Sequence, residues 1–318
     1  MKNVVQSDGR ALPGTSPVSP WTVLKDQLGE KGLLIIFLVP ALAVMILAQA
    51  YPLIYSLYLS FVDLALVKGP TPSGFVGLAN YAAAFKDEVF VDSIRITFTF
   101  AFAATAMELV LGLALAYLLV GEHWWNRVSR TVLILPAVIA PIAVGTIWRM
   151  MLNSRAGIIA AGLAVLGIKS PNWLAGSDTA LMAIIGIDIW QQTPFVLIIY
   201  SAALAALPTD PMRAAHVDGA SRWQILRFII LPLLFPVTMI ILMFRLIDSL
   251  MVLDIVYTTT YGGPGFATHT MTLWTYNQGL RYFNMSYAAA LSWILTAFTS
   301  SIAVTLMWIR SRWLNARM

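Results

Sequence analysis

Six apolar stretches decide what this chain can become: about 33–61, 93–120, 131–152, 179–206, 229–257 and 288–309. Each is at least as long as the roughly 20 residues a helix needs to cross a bilayer core. The expected fold class is all-α, a polytopic membrane protein of six transmembrane helices spread over residues 32–312. Composition agrees, with 59% of 318 residues hydrophobic and 11% charged, where soluble domains carry about 25% charged residues. Pro40, Pro52, Pro136, Pro141, Pro194 and Pro236 fall in or near the stretches. Membrane helices tolerate them where neighbours satisfy the carbonyls they free. A cleaved leader is the competing reading of the first stretch, because Ala48-Gln49-Ala50 resembles a cleavage site. That leader would be too long, and apolar sequence continues past it to Leu59.

The basic residues set an expected orientation. With the N-terminus inside, the inner segments hold twelve Lys and Arg and the outer segments seven. The excess places both termini in the cytoplasm. Residues 1–31 are polar, rich in Ser, Pro and Gly, and carry both signs of charge. They are expected to form a disordered cytoplasmic arm, and 313–318 a short cytoplasmic tail. The net charge of +5 fits cytoplasmic loops of a membrane protein and does not imply a nucleic-acid partner.

No soluble catalytic domain fits into loops of at most about 35 residues. The chain has no cysteine, and its three histidines, His123, His216 and His269, lie far apart. Neither a thiol nucleophile nor a metal site is expected, and no cluster points to an enzyme. There is no Gly-x-x-x-x-Gly-Lys-Ser/Thr loop, so no nucleotide cofactor is expected on this chain.

One loop stands out. Residues 208–228 form a polar island that reads as two short helices joined at a tight turn, on the cytoplasmic side. Asp210 is a candidate N-cap with Pro211 at the first helical position. Gly219 can take the left-handed conformation that ends such a helix. Ser221 and Gln224 have capping-box spacing. Read from these residues alone, the island is either a well-capped connection or a rigid element presented to a partner.

The sequence Arg213-Ala214-Ala215, then Asp218-Gly219-Ala220, then Leu231-Pro232 resembles the cytoplasmic motif of inner-membrane permeases in binding-protein-dependent ABC importers. Arg213 departs from it, standing where that family usually has an acid. Four further stretches resemble the carbohydrate-uptake branch, in its order and spacing: Phe75 to Tyr81, Trp190 to Phe195, Thr260 to Thr268 with its Gly-Gly-Pro, and Tyr287 to Leu291. The resemblance covers most of the chain and points to the maltose and glycerol-phosphate type. It implies a non-enzymatic permease subunit of a sugar importer in the bacterial inner membrane. Its partners would be a second permease subunit, two ATPase subunits that use the ATP, a periplasmic or extracellular solute-binding protein, and the sugar. Within it Arg213, Ala214, Ala215, Asp218, Gly219 and Ala220 would couple to the ATPase. The loops 62–92, which is acidic, and 258–287 would meet the binding protein. A self-sufficient secondary transporter is the alternative. It would be expected to show an internal repeat with paired broken helices, and no convincing repeat relates 33–152 to 179–309.

Ionisable residues inside membrane segments are costly and usually face a bundle interior or a wet cavity. Glu108, Asp188, Arg245, Asp248 and Asp254 are the candidates. Arg245 and Asp248 are three residues apart, on one helix face, and can pair. Two readings stay open: the charges neutralise each other and fix packing, or they line the substrate path. The candidate path residues are Asp188, Trp190, Gln191, Gln192, Arg245, Asp248, Tyr257 and Asn277. Planar polar groups and aromatics of these types commonly bind sugars, although Trp and Tyr also gather at membrane interfaces as anchors.

Overall fold

A computed structural model describes residues 20–121 and 123–315. Residues 1–19 of the expected arm and 316–318 of the expected tail lie outside the described residues. Those described are helical, with only two isolated bridge pairings and no strand.

Two compact units divide the chain, Met1–Ser56 and Leu57–Met318. The first contributes most of α1 (Pro20–Ser60), broken at Gly29, where φ is 65°. Residues 20–28 and 30–31 are helical on either side of that break, where a disordered arm is expected from the sequence. The large apolar side chains from Leu34 to Tyr55 are exposed.

The second unit is built on α3 (Glu88–Leu118), α7 (Ser177–Ala205), α10 (Leu231–Leu250) and α13 (Met285–Asn315). Short helices fill the connections: α2 (Ala79–Ala84), α6 (Ile158–Val165), α8 (Asp210–Val217), α9 (Arg222–Ile225), α11 (Asp254–Thr259) and α12 (Met271–Tyr276). Among the described residues, five helices are long and apolar enough to cross a membrane, and six if one bent pair counts as a span.

The span expected over 131–152 is this bent pair. Helices α4 (Trp124–Val138) and α5 (Pro141–Met151) meet at 98°. Neither reaches the roughly 20 residues of a crossing helix. The cause is Pro141, which bars the residue before it from the helical region. Ala140 is extended, with ψ 135°, and Ile139 has ψ 132°. Pro141 then opens α5 at a position where its missing N–H costs little.

The span expected at 229–257 is interrupted too. Helix α10 stops at Leu250 and Asp254 opens the separate α11. The Thr270 hydroxyl donates to the Val252 carbonyl at 3.2 Å, satisfying backbone freed by the break.

Close approach of α3 and α7 sets the geometry of the site. A Cβ on Gly112 would lie 2.8 Å from Val196 Cβ and 3.2 Å from the Leu197 nitrogen. A small residue here lets the two backbones meet, as membrane helix interfaces favour. Around this contact Leu197, Tyr200, Ile230 and Leu234 bury their side chains, while Phe100, Ile184 and Ile187 form a second cluster.

Candidate functional site

Glu108 on α3, Asp188 on α7 and Arg245 on α10 meet in the protein interior. Arg245 donates from Nε to Glu108 at 2.6 Å and from Nη2 to Glu108 at 2.8 Å, a bidentate pair. Nη2 also lies 3.0 Å from Asp188 and 3.1 Å from the Ser249 hydroxyl, and Nη1 bonds Asp248. The pairing of Arg245 with Asp248 is present, but two carboxylates from other helices share the guanidinium. Bidentate geometry and several acceptors are what a buried cation needs to offset its desolvation.

A cavity of about 280 Å³ opens beside this cluster, lined by Asp188, Gln192, Asp248, Ser249, Asp254 and Thr272 with apolar neighbours. Asp248 is the accessible acid, its side chain 65% exposed. Asp188 reaches both the cluster and the cavity. Arg245 itself is buried.

The remaining candidate path residues lie elsewhere. Gln191 is buried, and its Nε2 donates to the Ile139 carbonyl at 3.0 Å, so it satisfies the break between α4 and α5. Trp190 packs edge-on against Trp148 and lines a separate apolar cleft with Leu111, Leu115 and Pro136. Tyr257 packs edge-on against Tyr276. Asn277 is buried, its amide 2.9 Å from His269 Nε2. None of these four lines the cavity. Ser249, Asp254 and Thr272 on the cavity wall, and Glu108 behind it, are the polar residues that the path candidates omit. Glu108 was legible as a costly intramembrane charge; two hydroxyls in an apolar helix carry no such signal.

Burial holds the His269 imidazole below its ordinary value of 6.5, and nearby Arg281 adds to this. Asp87, an acid of the 62–92 loop, is consumed within the fold. It caps α3 through Val89 N–H at 3.0 Å and accepts from Trp274 Nε1 at 2.9 Å and Tyr287 OH at 2.7 Å.

The elbow forms as two helices around Gly219, whose φ is +79°. Ala220 N–H bonds Ala215 at 2.9 Å and Gly219 N–H bonds His216 at 3.2 Å, the Schellman arrangement. The Ser221–Gln224 capping box is complete, with bonds of 2.7 and 3.3 Å. Asp210 is not the N-cap: α8 starts there, one residue earlier than expected, and Thr209 caps without a side-chain bond. The second helix does not stop at Leu231-Pro232 but runs through a π-helical turn, Leu226–Ile230, into α10. Proline clashes with the carbonyl four residues back, and a π-turn relieves such a mismatch. Met212, Ile225 and Leu226 pack into the cluster of Leu197 and Tyr200, while Arg213, Ala214, Val217, Asp218 and Gly219 are exposed.

Sequence comparison resolves the family. Residues 108–318 match the binding-protein-dependent transport system inner membrane component family. The chain belongs to this family. The permease is 35% identical over 86% of its length to a probable ABC transporter permease of Sinorhizobium fredii, covering 88% of that protein. It is 32% identical over 74% of its length to the trehalose/maltose transport system permease of Thermococcus litoralis, covering 79% of it. Its fold matches a chain in the crystal structure of a bacterial ABC transporter that imports the acidic polysaccharide alginate. That match has a TM-score of 0.77 at 22% identity and covers 92% of the permease and 98% of that chain. The permease is thus a multi-pass inner-membrane transport component, not an enzyme.

Proposed function

We propose that this chain is one of two permease subunits of an ATP-driven sugar importer, and that it transmits work from an ATPase through the 208–228 elbow. The observation that carries this is the two-sided character of the elbow. Its inner side, Met212, Ile225 and Leu226, is packed into the same apolar cluster as α7 and α10. Its outer side, Arg213, Ala214 and His216 to Gly219, is exposed and bracketed by a Schellman cap and a capping box. A rigid element fused directly to α10 can pass rigid-body motion to the helix that carries Arg245. The exposed small residues Ala214 and Gly219 leave room for a cleft to close on it. Arg213 makes no ion pair among the described residues, so its guanidinium is free to meet an acid on the ATPase.

The sugar assignment rests on the trehalose/maltose permease relative and on a cavity of hydrogen-bonding side chains. In this reading both termini and the elbow are cytoplasmic, a binding protein delivers the sugar on the opposite side, and a second permease chain completes the path. The test is co-expression with neighbouring transport genes. The chain should bring down an ATPase whose hydrolysis rises with the loaded binding protein. A chain that carries solute alone in liposomes under an ion gradient would overturn this reading.

A further inference from the structure

The cavity beside Arg245 has a one-sided charge. Asp188, Asp248 and Asp254 line it, and among the described residues no Lys, Arg or His does. Glu108 sits behind Asp188 on the same guanidinium. A guanidinium has five N–H donors and no acceptor. Arg245 commits Nε and both Nη2 hydrogens to Glu108, Asp188 and Ser249, and one Nη1 hydrogen to Asp248. Among the described residues, the cation beside the cavity is therefore buried and committed to the fold, with three carboxylates on one guanidinium and Asp254 also on the cavity wall. The N-terminus of α5 at Pro141 adds about half a positive charge, which does not reverse the sign. The Thr272 hydroxyl, also on the cavity wall, has no partner among the described residues. A cavity whose wall offers mainly acceptors suits a solute that donates.

We infer that this cavity admits uncharged, hydroxyl-rich or cationic sugars and excludes anionic ones such as uronates, sugar phosphates and sulfonates. The inference rests on the permease reading above and names the solute class for the same cavity. Carboxylate oxygens accept from sugar hydroxyls, or from an ammonium with added charge assistance. An anionic sugar would meet like charge, with no free guanidinium to offset it.

The chain's lack of cysteine makes the charge directly measurable. A single thiol is introduced on the cavity wall as M251C, at an exposed position. A control thiol, T71C, goes in an exposed loop. Each is placed in the full-length chain, purified with whatever partners accompany it, in detergent at low salt. Labelling rates with a cationic (trimethylammonium) and an anionic (sulfonate) methanethiosulfonate are followed by the mass of this chain. The cation-to-anion rate ratio at M251C, divided by that at T71C, should be about tenfold or more, from Coulomb attraction over several ångströms of water. D248N with D254N should pull it most of the way to one. A normalised ratio at or below one overturns the inference. So does absence of labelling by both reagents at M251C, which would mean that the cavity is closed to water. Uptake of a uronate, sugar phosphate or sulfonate by the complete importer would overturn it as well. Failure of the permease reading would show separately, as an ATPase that does not co-purify, and would leave the thiol ratio unchanged.

Discussion

Arg245 and Glu108, 137 residues apart in sequence, form a bidentate ion pair with both bonds at or below 2.8 Å. The pair ties α3 to α10 inside a membrane protein, with Asp188 of α7 on the same guanidinium.

Removing the cation should cost far more than removing Asp248, the acid at the surface of the cluster. R245M leaves Glu108 and Asp188 buried without a counter-charge, and breaking a buried pair from one side costs about 3–5 kcal/mol. Thermal unfolding of the detergent-solubilised complex should show a large loss for R245M. The double variant R245M/E108Q should recover part of it. Equal stability of R245M and the parent would remove the cluster from the fold's energetics.

Asp188 and Asp248 should separate by role. Asp188 is buried on the guanidinium, whereas the Asp248 side chain is 65% exposed towards the cavity. D188N is expected to lower stability and assembly yield. D248N should assemble normally and change uptake, because exposed ion pairs contribute about 1 kcal/mol or less. Assembly loss with D248N, seen by size-exclusion chromatography, would contradict this division.

Gly219→Val tests coupling. A left-handed backbone costs a residue with a Cβ about 1–2 kcal/mol, yet no atom lies within 4 Å of where that Cβ would sit. Insertion and folding should survive, while uptake falls and ATP hydrolysis loses its dependence on the binding protein. Normal uptake by this variant would exclude the elbow as the coupling element.

Gln191→Leu should destabilise without altering solute preference. The Nε2 bond to the Ile139 carbonyl closes the break between α4 and α5. Leaving that carbonyl unpaired costs about 1–3 kcal/mol. A changed ranking of transported solutes, with unchanged thermal stability, would return Gln191 to the path.

His269 gives a pH dependence of known sign. Its folded value is depressed below 6.5 by burial, so the unfolded state binds the proton first as pH falls. The stabilisation is complete above about pH 6.5 and is lost as pH drops through the folded value. Hydrogen exchange in the 260–277 region, expressed relative to the intrinsic rate of an unstructured peptide at each pH, should rise between about pH 7.5 and 5 in the parent. His269→Gln, which does not titrate, should flatten that response. An identical rise in the variant would assign it to other groups.

Apolar length, capping residues and the Gly219 turn were legible in the sequence because each is a local property of a few neighbouring residues. The helical class, the elbow's two helices and the Arg245–Asp248 pair all lie within one turn or one segment. The break at Ile139-Ala140 was half legible. Pro136 and Pro141 marked it, but whether proline bends a span or is absorbed depends on what satisfies the freed carbonyl. That group is Gln191, from another helix.

Tertiary structure alone decided where the charges point. A helix sequence shows that Glu108, Asp188 and Arg245 are expensive to bury, not which of them share a hydrogen bond. That depends on the rotation of α3, α7 and α10 about their axes and on the close approach at Gly112. The same rotation turned Trp190 and Gln191 of α7 away from the cavity and left Asp188, Gln192 and Asp248 on its wall, while Tyr257 and Asn277 lie on the separate elements that follow α10. The sequence determined the membrane class and the capped elbow because hydrophobic length and backbone caps act locally. The site needed three dimensions because an ion pair across 137 residues is a property of packing.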